Sequence, residues 1–304
     1  MKLAPIVIFT YNRPLHFKKT LDSLSHNELA KFSDVFIFID GPKSIQDVDD
    51  VNSCLDVANS ASGFKSVSIE KSTNNLGLSK SVISGLNKMF NVFETCIILE
   101  DDLIVSKFFL NFMNDGLDIY SESEEVCSIH GYMYPHDKEL PETFFLRGAD
   151  CWGWATWRKY WRLFEEDGEK LLTNLNKSGE LHNFDYFGRS GNVNMLKNQI
   201  KGVADSWAIR WHASMYLHRK FTLYPNHSLI QNIGFDMSGT SKNNTKIFDT
   251  RLSDNKIRIV NQNVKPSLEA IQVLNEFYFK NNSKVFQVGT YFKNLLMRLR
   301  NAIF

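Results

Sequence analysis

Three short apolar runs in the first third of the chain each stop at a polar or glycine-containing segment: Pro5 to Thr10 before Tyr11-Asn12-Arg13, Val35 to Ile39 before Asp40-Gly41-Pro42, and Cys96 to Leu99 before Glu100-Asp101-Asp102. Short continuous runs of this kind predict strands buried on both faces, as in a parallel sheet. Ser66 to Glu70 predicts a fourth, weaker strand. Between the strands the apolar residues shift to helical spacing, in Pro14 to Leu24 and again in Leu78 to Phe93, where Leu78, Val82, Ile83, Leu86, Met89 and Phe90 share a stripe. The expected arrangement is β-α-β-α-β-α-β, an open, mostly parallel α/β sheet of Rossmann-like type with helices on both faces.

In such sheets ligands bind beyond the carboxyl ends of the strands. That rule brings Tyr11 to Arg13, Asp40-Gly41 and Glu100 to Asp102 to one edge, although they are far apart in sequence, and a single site is implied.

The second half has a different composition, with all six tryptophans between Trp152 and Trp211. Aromatic faces suit the C–H faces of sugar rings; a bulky core is the alternative. The chain ends in Val285 to Phe304, where Phe292, Leu295, Leu296, Leu299 and Ile303 alternate with Lys293, Arg298 and Arg300. This predicts a basic amphipathic helix, either peripheral on an anionic membrane surface or packed on the body of the domain.

Composition narrows the function. The 304 residues and 43% hydrophobic content support a sizeable core. Lys+Arg of 35 against Asp+Glu of 34 gives no body-wide attraction to nucleic acid. Cys54, Cys96, Cys127 and Cys151 form no CxxC pair, which argues against a zinc site or a disulfide framework and for a reducing cytoplasm. The first apolar run is too short for a signal peptide, and no segment approaches the roughly 18 apolar residues of a membrane span. The sequence contains no HExxH, GxSxG, GxxxxGK[ST] or GxGxxG, so zincins, serine hydrolases, P-loop enzymes and dinucleotide oxidoreductases lose their usual signatures.

Glu100, Asp101 and Asp102 are the strongest candidate for chemistry. Adjacent carboxylates at a strand exit repel one another unless a cation or donors compensate. A hard divalent ion, Mn²⁺ or Mg²⁺, would do so while sharing a substrate diphosphate, and would neutralise the charge developing on a nucleotide leaving group. Asp40 with Gly41 offers a carboxylate for a pyrimidine N3–H and a backbone open to a flat base, or else a simple Asp-Gly-Pro turn. Arg13 is placed for a base or phosphate, or for pairing with an acidic neighbour. Ser79 and Lys80 open a helix and could meet phosphate there. A transferase also needs a base, and Asp205 is the candidate, on the expectation that the apolar stretch to Trp211 raises its pKa; a helix N-cap is the competing role.

The residues also carry a resemblance. Pro5 to Arg13, then Ile39-Asp40-Gly41, then Leu99 to Leu103, followed in order by Phe108-Phe109, Val126-Cys127-Ser128, Phe145-Leu146-Arg147, Gly153-Trp154 and Asp205-Ser206-Trp207, resemble GT-A fold glycosyltransferases, specifically bacterial relatives of N-acetylglucosaminyltransferase I. The resemblance covers roughly residues 4 to 240. It implies a GT-A catalytic domain over 1–241, with a nucleotide-binding half (1–105) and an acceptor half (106–241), and a C-terminal extension over 242–304. It further implies Asp102 as metal ligand, Asp101 and Glu100 on the ribose and donor sugar, Asp40 and Arg13 on uracil, Gly153 and Trp154 in the donor site, and Asp205 as the base. Many of the bacterial relatives end the segment Asn232 to Thr240 with a histidine, where this chain has Ser241; the rest of that segment, with Gly234 and Gly239 as hinges, is suited to closing over a donor.

The resulting expectation is an inverting, Mn²⁺- or Mg²⁺-dependent glycosyltransferase moving a sugar from a UDP-sugar, such as UDP-GlcNAc, to a glycan or lipid-linked acceptor in bacterial surface polysaccharide synthesis. A sugar nucleotidyltransferase and a non-catalytic carbohydrate-binding protein of the same fold are the rivals; the first should show a glycine-rich basic loop where this chain has Tyr11-Asn12-Arg13-Pro14.

Overall fold

The computed structural model describes residues 3–239 and 244–281. The expected basic helix of 285–304 and Ser241 lie outside them. Eight strands form the main sheet: β1 (Ile6–Thr10), β2 (Asp34–Ile39), β3 (Ser66–Lys71), β4 (Thr95–Glu100), β6 (Val126–His130), β7 (Thr143–Arg147), β8 (Trp154–Trp157) and β9 (Phe221–Pro225). They run in the order β3-β2-β1-β4-β8-β6-β9-β7, while β5 (Leu103–Val105) and β10 (Ile230–Asn232) pair as a separate ribbon. The first four strands are parallel to one another, as the apolar runs predict. Beyond β4 the sheet is mixed: β8 is antiparallel to both neighbours, β6 and β9 are parallel, and β7 is antiparallel to β9.

Alternation within β1 shows why both faces are covered. Successive side chains of a strand point to opposite faces. Thr10 reaches Cys54 of the helix Val48–Asn59 on one face, whereas Phe9 lies under Gly85 of the helix Leu78–Val92 on the other. A Cβ on Gly85 would stand 2.5 Å from the Phe9 ring, so only glycine lets this helix approach so closely. The helix Pro14–Ser25 starts on its proline, whose missing N–H costs nothing in a first turn.

The tryptophans build core. Trp154 is completely buried in β8 and packs on Trp161, Trp207 and Trp211 with ring centroids 5.3–6.4 Å apart. Trp157 is buried as well, and only Trp152 is half-buried. Residues 244–281 lie on the same body: Ile257 and Ile259 enter the main core, and a helix at 268–281 inserts Ala270, Val273 and Leu274 against Phe144, Leu146 and Tyr224. All four cysteines are free thiols. Among the described residues no helix is long and apolar enough to cross a membrane.

Candidate functional site

The acidic trio leaves β4 beside the carboxyl end of β1, where Phe9 is in register with Glu100. Its three members have three different environments. Asp101 is buried, and its oxygens accept from Thr10 Oγ1 at 2.9 Å and from the Arg13 guanidinium. The Thr20 hydroxyl donates to the Asp101 carbonyl at 2.8 Å, which ties the turn to the first helix. Asp102 accepts from Arg13 Nη2 at 2.9 Å through Oδ2 and keeps a slightly exposed side chain. Glu100 makes no side-chain hydrogen bond among the described residues. Burial, and then Asp102 and Asp101, push its carboxyl up to about 8.

Arg13 therefore pairs with acidic neighbours in this conformation and is not open to a base. Burial opposes its charge, but Asp101 and Asp102 outweigh burial and hold its pKa above the ordinary value. Asp101, likewise, is a buried anchor, each of whose oxygens already accepts one hydrogen bond; burial raises its carboxyl and Arg13 opposes the rise.

Asp40 departs from expectation too. Its Oδ1 accepts from the backbone N–H of Gly41 at 2.9 Å and Leu76 at 2.8 Å; its Oδ2 accepts from Gly77 N–H at 2.9 Å and Asn75 Nδ2 at 3.1 Å. Four donors fill the lone pairs of a carboxylate, so Asp40 fixes the 74–77 loop and has nothing to offer a pyrimidine here. A Cβ on Gly41 would lie 2.5 Å from the Asn74 carbonyl carbon, so glycine is what lets the loop come this close.

Asp205 does reach this edge. A Cβ on Gly77 would stand 3.8 Å from Asp205 Oδ2, and Arg210 Nη2 lies 3.8 Å from its Oδ1. The expected burial is absent: the side chain is 60% exposed, because the apolar residues that follow it turn inward on the helix Trp207–Leu217 while Asp205 precedes the first turn. The cap of that helix is Ser206, whose hydroxyl accepts from Ile209 N–H at 3.3 Å. Sequence reasoning missed Arg210, a buried cation that donates to Ser79 Oγ and to the Glu166 carbonyl and joins two helices beside Asp205. Ser79 is thereby buried and occupied, while Lys80 stays exposed. Gly153 and Trp154 are not at the site surface: Gly153, at φ +66°, packs against Ile230, and Trp154 is core.

The β5–β10 ribbon brings a cover to the trio. Leu103 pairs with Asn232, so the residues after β10 emerge over Asp102, and Ile233 N–H donates to the Asp102 carbonyl at 2.8 Å. A Cβ on Gly234 would lie 2.1 Å from Asp102 Oδ2, and one on Gly239 would lie 3.2 Å from Arg13 Nη1. His16 and Asp236 pair at 2.9 Å, and Phe235 meets Trp152 and Phe248 at 5.6 and 4.8 Å. This segment lies against Asp102 and Arg13; a surface cavity of about 450 Å³, lined by Asp115, Asp118, Lys256 and Arg258 among others, shares none of these residues.

Among the described residues no group of three or more His, Cys, Asp or Glu side chains is arranged to hold a metal ion by itself. A Mg²⁺-type ion shared with phosphates needs only one or two carboxylates. Arg13 pairs with Asp101 and Asp102, and Asp102 Oδ1 and Glu100 accept no hydrogen bond among the described residues, so these oxygens, with Glu100 deprotonated, fit an ion shared with a diphosphate.

The Glu100 shift makes stability depend on pH. Folded Glu100 keeps its proton up to about pH 8, against an ordinary value of 4.5, so the folded state binds the extra proton and stability falls as pH rises through that window. His130, His212 and His218, whose pKa values burial lowers from 6.5, act in the opposite sense below that pH. The melting temperature of the metal-free protein is therefore expected to fall between about pH 6.5 and 8, and Glu100→Gln to flatten the curve; an unchanged slope in the variant would remove Glu100 as its source.

No family model matches the sequence, and no curated protein matches it. Solved structures with similarity include S. aureus TarS (15% identity, TM-score 0.35, 53% of this chain and 29% of that one) and its 1–349 fragment (13%, 0.35, 53% and 48%). Another is the mannosyltransferase PcManGT from Pyrobaculum calidifontis in complex with GDP-Man and Mn²⁺ (11%, 0.32, 44% and 36%). The chain thus spans less than half the length of each. At such TM-scores the likeness carries no weight for function.

Proposed function

We propose that this chain is an inverting, metal-dependent glycosyltransferase using a nucleotide-sugar donor, a UDP-sugar by its resemblance to bacterial relatives of N-acetylglucosaminyltransferase I. The observation that carries the reading is the convergence on one sheet edge of a carboxylate trio only partly neutralised by Arg13, a glycine-lined cover lying on that trio, and an exposed carboxylate, Asp205, beside the 74–77 loop. Asp102 and Glu100 would hold Mn²⁺ or Mg²⁺ together with the donor diphosphate, and the ion supplies Lewis-acid stabilisation of the departing nucleotide.

The chain's own residues do the rest. Asp101, locked by Arg13 and Thr10, fixes the turn that presents Asp102. Asp40 fixes the 74–77 loop, against which Asp205 stands. Asp205 takes the proton of the acceptor hydroxyl as it attacks the anomeric carbon; its exposure leaves room for an acceptor to reach it. The 233–239 segment must lift from Asp102 for a diphosphate to enter and can then close over it, which excludes water from the donor.

A panel of nucleotide sugars, assayed for binding and slow hydrolysis with and without Mn²⁺, tests this. Metal-dependent binding of at least one UDP-sugar is expected, with Asp102→Asn weakening it by roughly 10- to 100-fold or more. Absence of binding to any nucleotide sugar with metal present refutes the transferase reading, and equal affinity after chelation refutes the role of Asp102.

A further inference from the structure

Arg210 is a buried cation whose charge its hydrogen bonds do not account for. It lies in the first turn of the helix Trp207–Leu217, with only 8% of its side chain exposed. Three bonds hold the guanidinium: Nε donates to the Ser206 carbonyl at 3.3 Å, Nη1 to the Glu166 carbonyl at 3.1 Å, and Nη2 to Ser79 Oγ. Its Cζ also stands over the Phe164 ring, 5.9 Å from the centroid. Every acceptor in this set is a neutral oxygen, and a buried charge without a counter-charge is costly. Burial pulls the Arg210 guanidinium below its ordinary range, and Asp205, then Glu166, oppose the fall. Among the described residues Asp205 is the one carboxylate within ion-pair distance, with its Oδ1 at 3.8 Å from Nη2.

Asp205 has the reciprocal need. It precedes the helix, is exposed, and accepts no side-chain hydrogen bond among the described residues, so nothing but Arg210 constrains the rotation of its carboxylate. A general base must present one oxygen within hydrogen-bond reach of the proton it takes. Three bonds use three of the five guanidinium donors, which leaves the group immobile and still able to donate. With Oδ1 turned to Arg210, Oδ2 faces Gly77, which stands at φ +78° and carries no side chain. One oxygen is thus tethered and the other is left for a proton. The 3.8 Å gap exceeds a hydrogen bond, and a small turn of the exposed side chain closes it. Contacts of catalytic groups commonly tighten in this way when substrate binds.

We propose that Arg210 is the positioning residue of the base: its fixed guanidinium pairs with Asp205 Oδ1 and so aims Oδ2 at the acceptor hydroxyl. The proposal rests on the transferase reading above and assigns how its base is held. The acceptor proton passes to Oδ2 as the acceptor oxygen bonds to the anomeric carbon, and the bond from that carbon to the diphosphate breaks with its electron pair on the diphosphate. Ser79, occupied by Nη2, then serves the site by holding Arg210.

A double-mutant cycle tests this, read by the slow hydrolysis of a bound UDP-sugar, in which water takes the acceptor's place. Arg210→Gln removes the charge and is expected to lower the hydrolysis rate roughly 10- to 100-fold, the scale of loss when a reacting group is misplaced, with UDP affinity kept. In the Asp205→Asn background the same substitution should add almost nothing, because residues that act through one another are not additive. Arg210→Lys keeps the charge without the fork and should recover part of the rate. If Arg210→Gln does not fold, the cycle is run with Arg210→Lys, whose smaller loss should likewise vanish in Asp205→Asn. Equal losses in the two backgrounds would make Arg210 a structural staple and overturn the proposal, as would a wild-type rate in Arg210→Gln. Wild-type hydrolysis in Asp205→Asn overturns the base and this proposal together while the transferase reading stands. Absence of binding to any nucleotide sugar removes all three.

Discussion

Asp205→Asn is expected to lower the transfer rate by roughly 10²- to 10⁴-fold, the usual contribution of a positioned general base, while nucleotide-sugar affinity stays near that of the wild type. The substitution keeps the shape of the side chain and removes its ability to take a proton. Because Asp205 is exposed and Ser206 carries the helix cap, the change should leave folding intact, and the effect should fall on kcat. Steady-state transfer assays alongside donor titrations separate the two quantities. Unchanged transfer in Asp205→Asn would remove this residue as the base. Loss of donor binding in step with transfer would place it on the donor instead.

Arg13→Ala should cost about 3–5 kcal/mol of folding stability, read by urea unfolding, because it strands buried Asp101 and leaves Asp102 unpaired. The magnitude follows from what remains, since an uncompensated buried carboxylate is worse than no carboxylate at all. Adding Asp101→Asn to Arg13→Ala should recover part of the loss, as coupled neighbours do not behave additively. A loss in Arg13→Ala below about 1 kcal/mol, the worth of an exposed ion pair, would mean that the trio is not held by this guanidinium. Arg13→Lys should fall between, because a single ammonium cannot reproduce the forked donor geometry.

The two variants probe opposite ends of what was legible. The strands and helices of the first half could be read directly: Ile6–Thr10, Asp34–Ile39, Ser66–Lys71 and Thr95–Glu100 lie where the apolar runs put them, within a residue or so, and Pro14–Ser25 and Leu78–Val92 follow their stripes. The helix Val48–Asn59 and the strands beyond β4 had weaker signals, since short strands in a mixed sheet carry no long run and pair with partners far away in sequence. The tryptophan-rich stretch was ambiguous for a related reason. Composition shows that aromatic surface must be buried, but not whether a protein core or a ligand buries it; here Trp154, Trp161, Trp207 and Trp211 bury one another.

By itself the sequence determined the α/β sheet, the edge at which the polar segments gather and the candidate acidic trio, because strand and helix periodicity and the turn that ends a strand are local properties of neighbouring residues. Only the tertiary structure decided which carboxylates remain open for chemistry. Asp40 is consumed by the backbone N–H groups of Gly41, Leu76 and Gly77 and the Asn75 side chain, and Asp101 is pinned by Arg13 and Thr10, whereas Asp205 stands exposed beside Gly77, and the cover over Asp102 comes from a ribbon partner more than a hundred residues away. A hydrogen-bonding group is occupied or free according to the donors that folding brings to it from elsewhere in the chain, and that count is invisible until the chain has closed on itself.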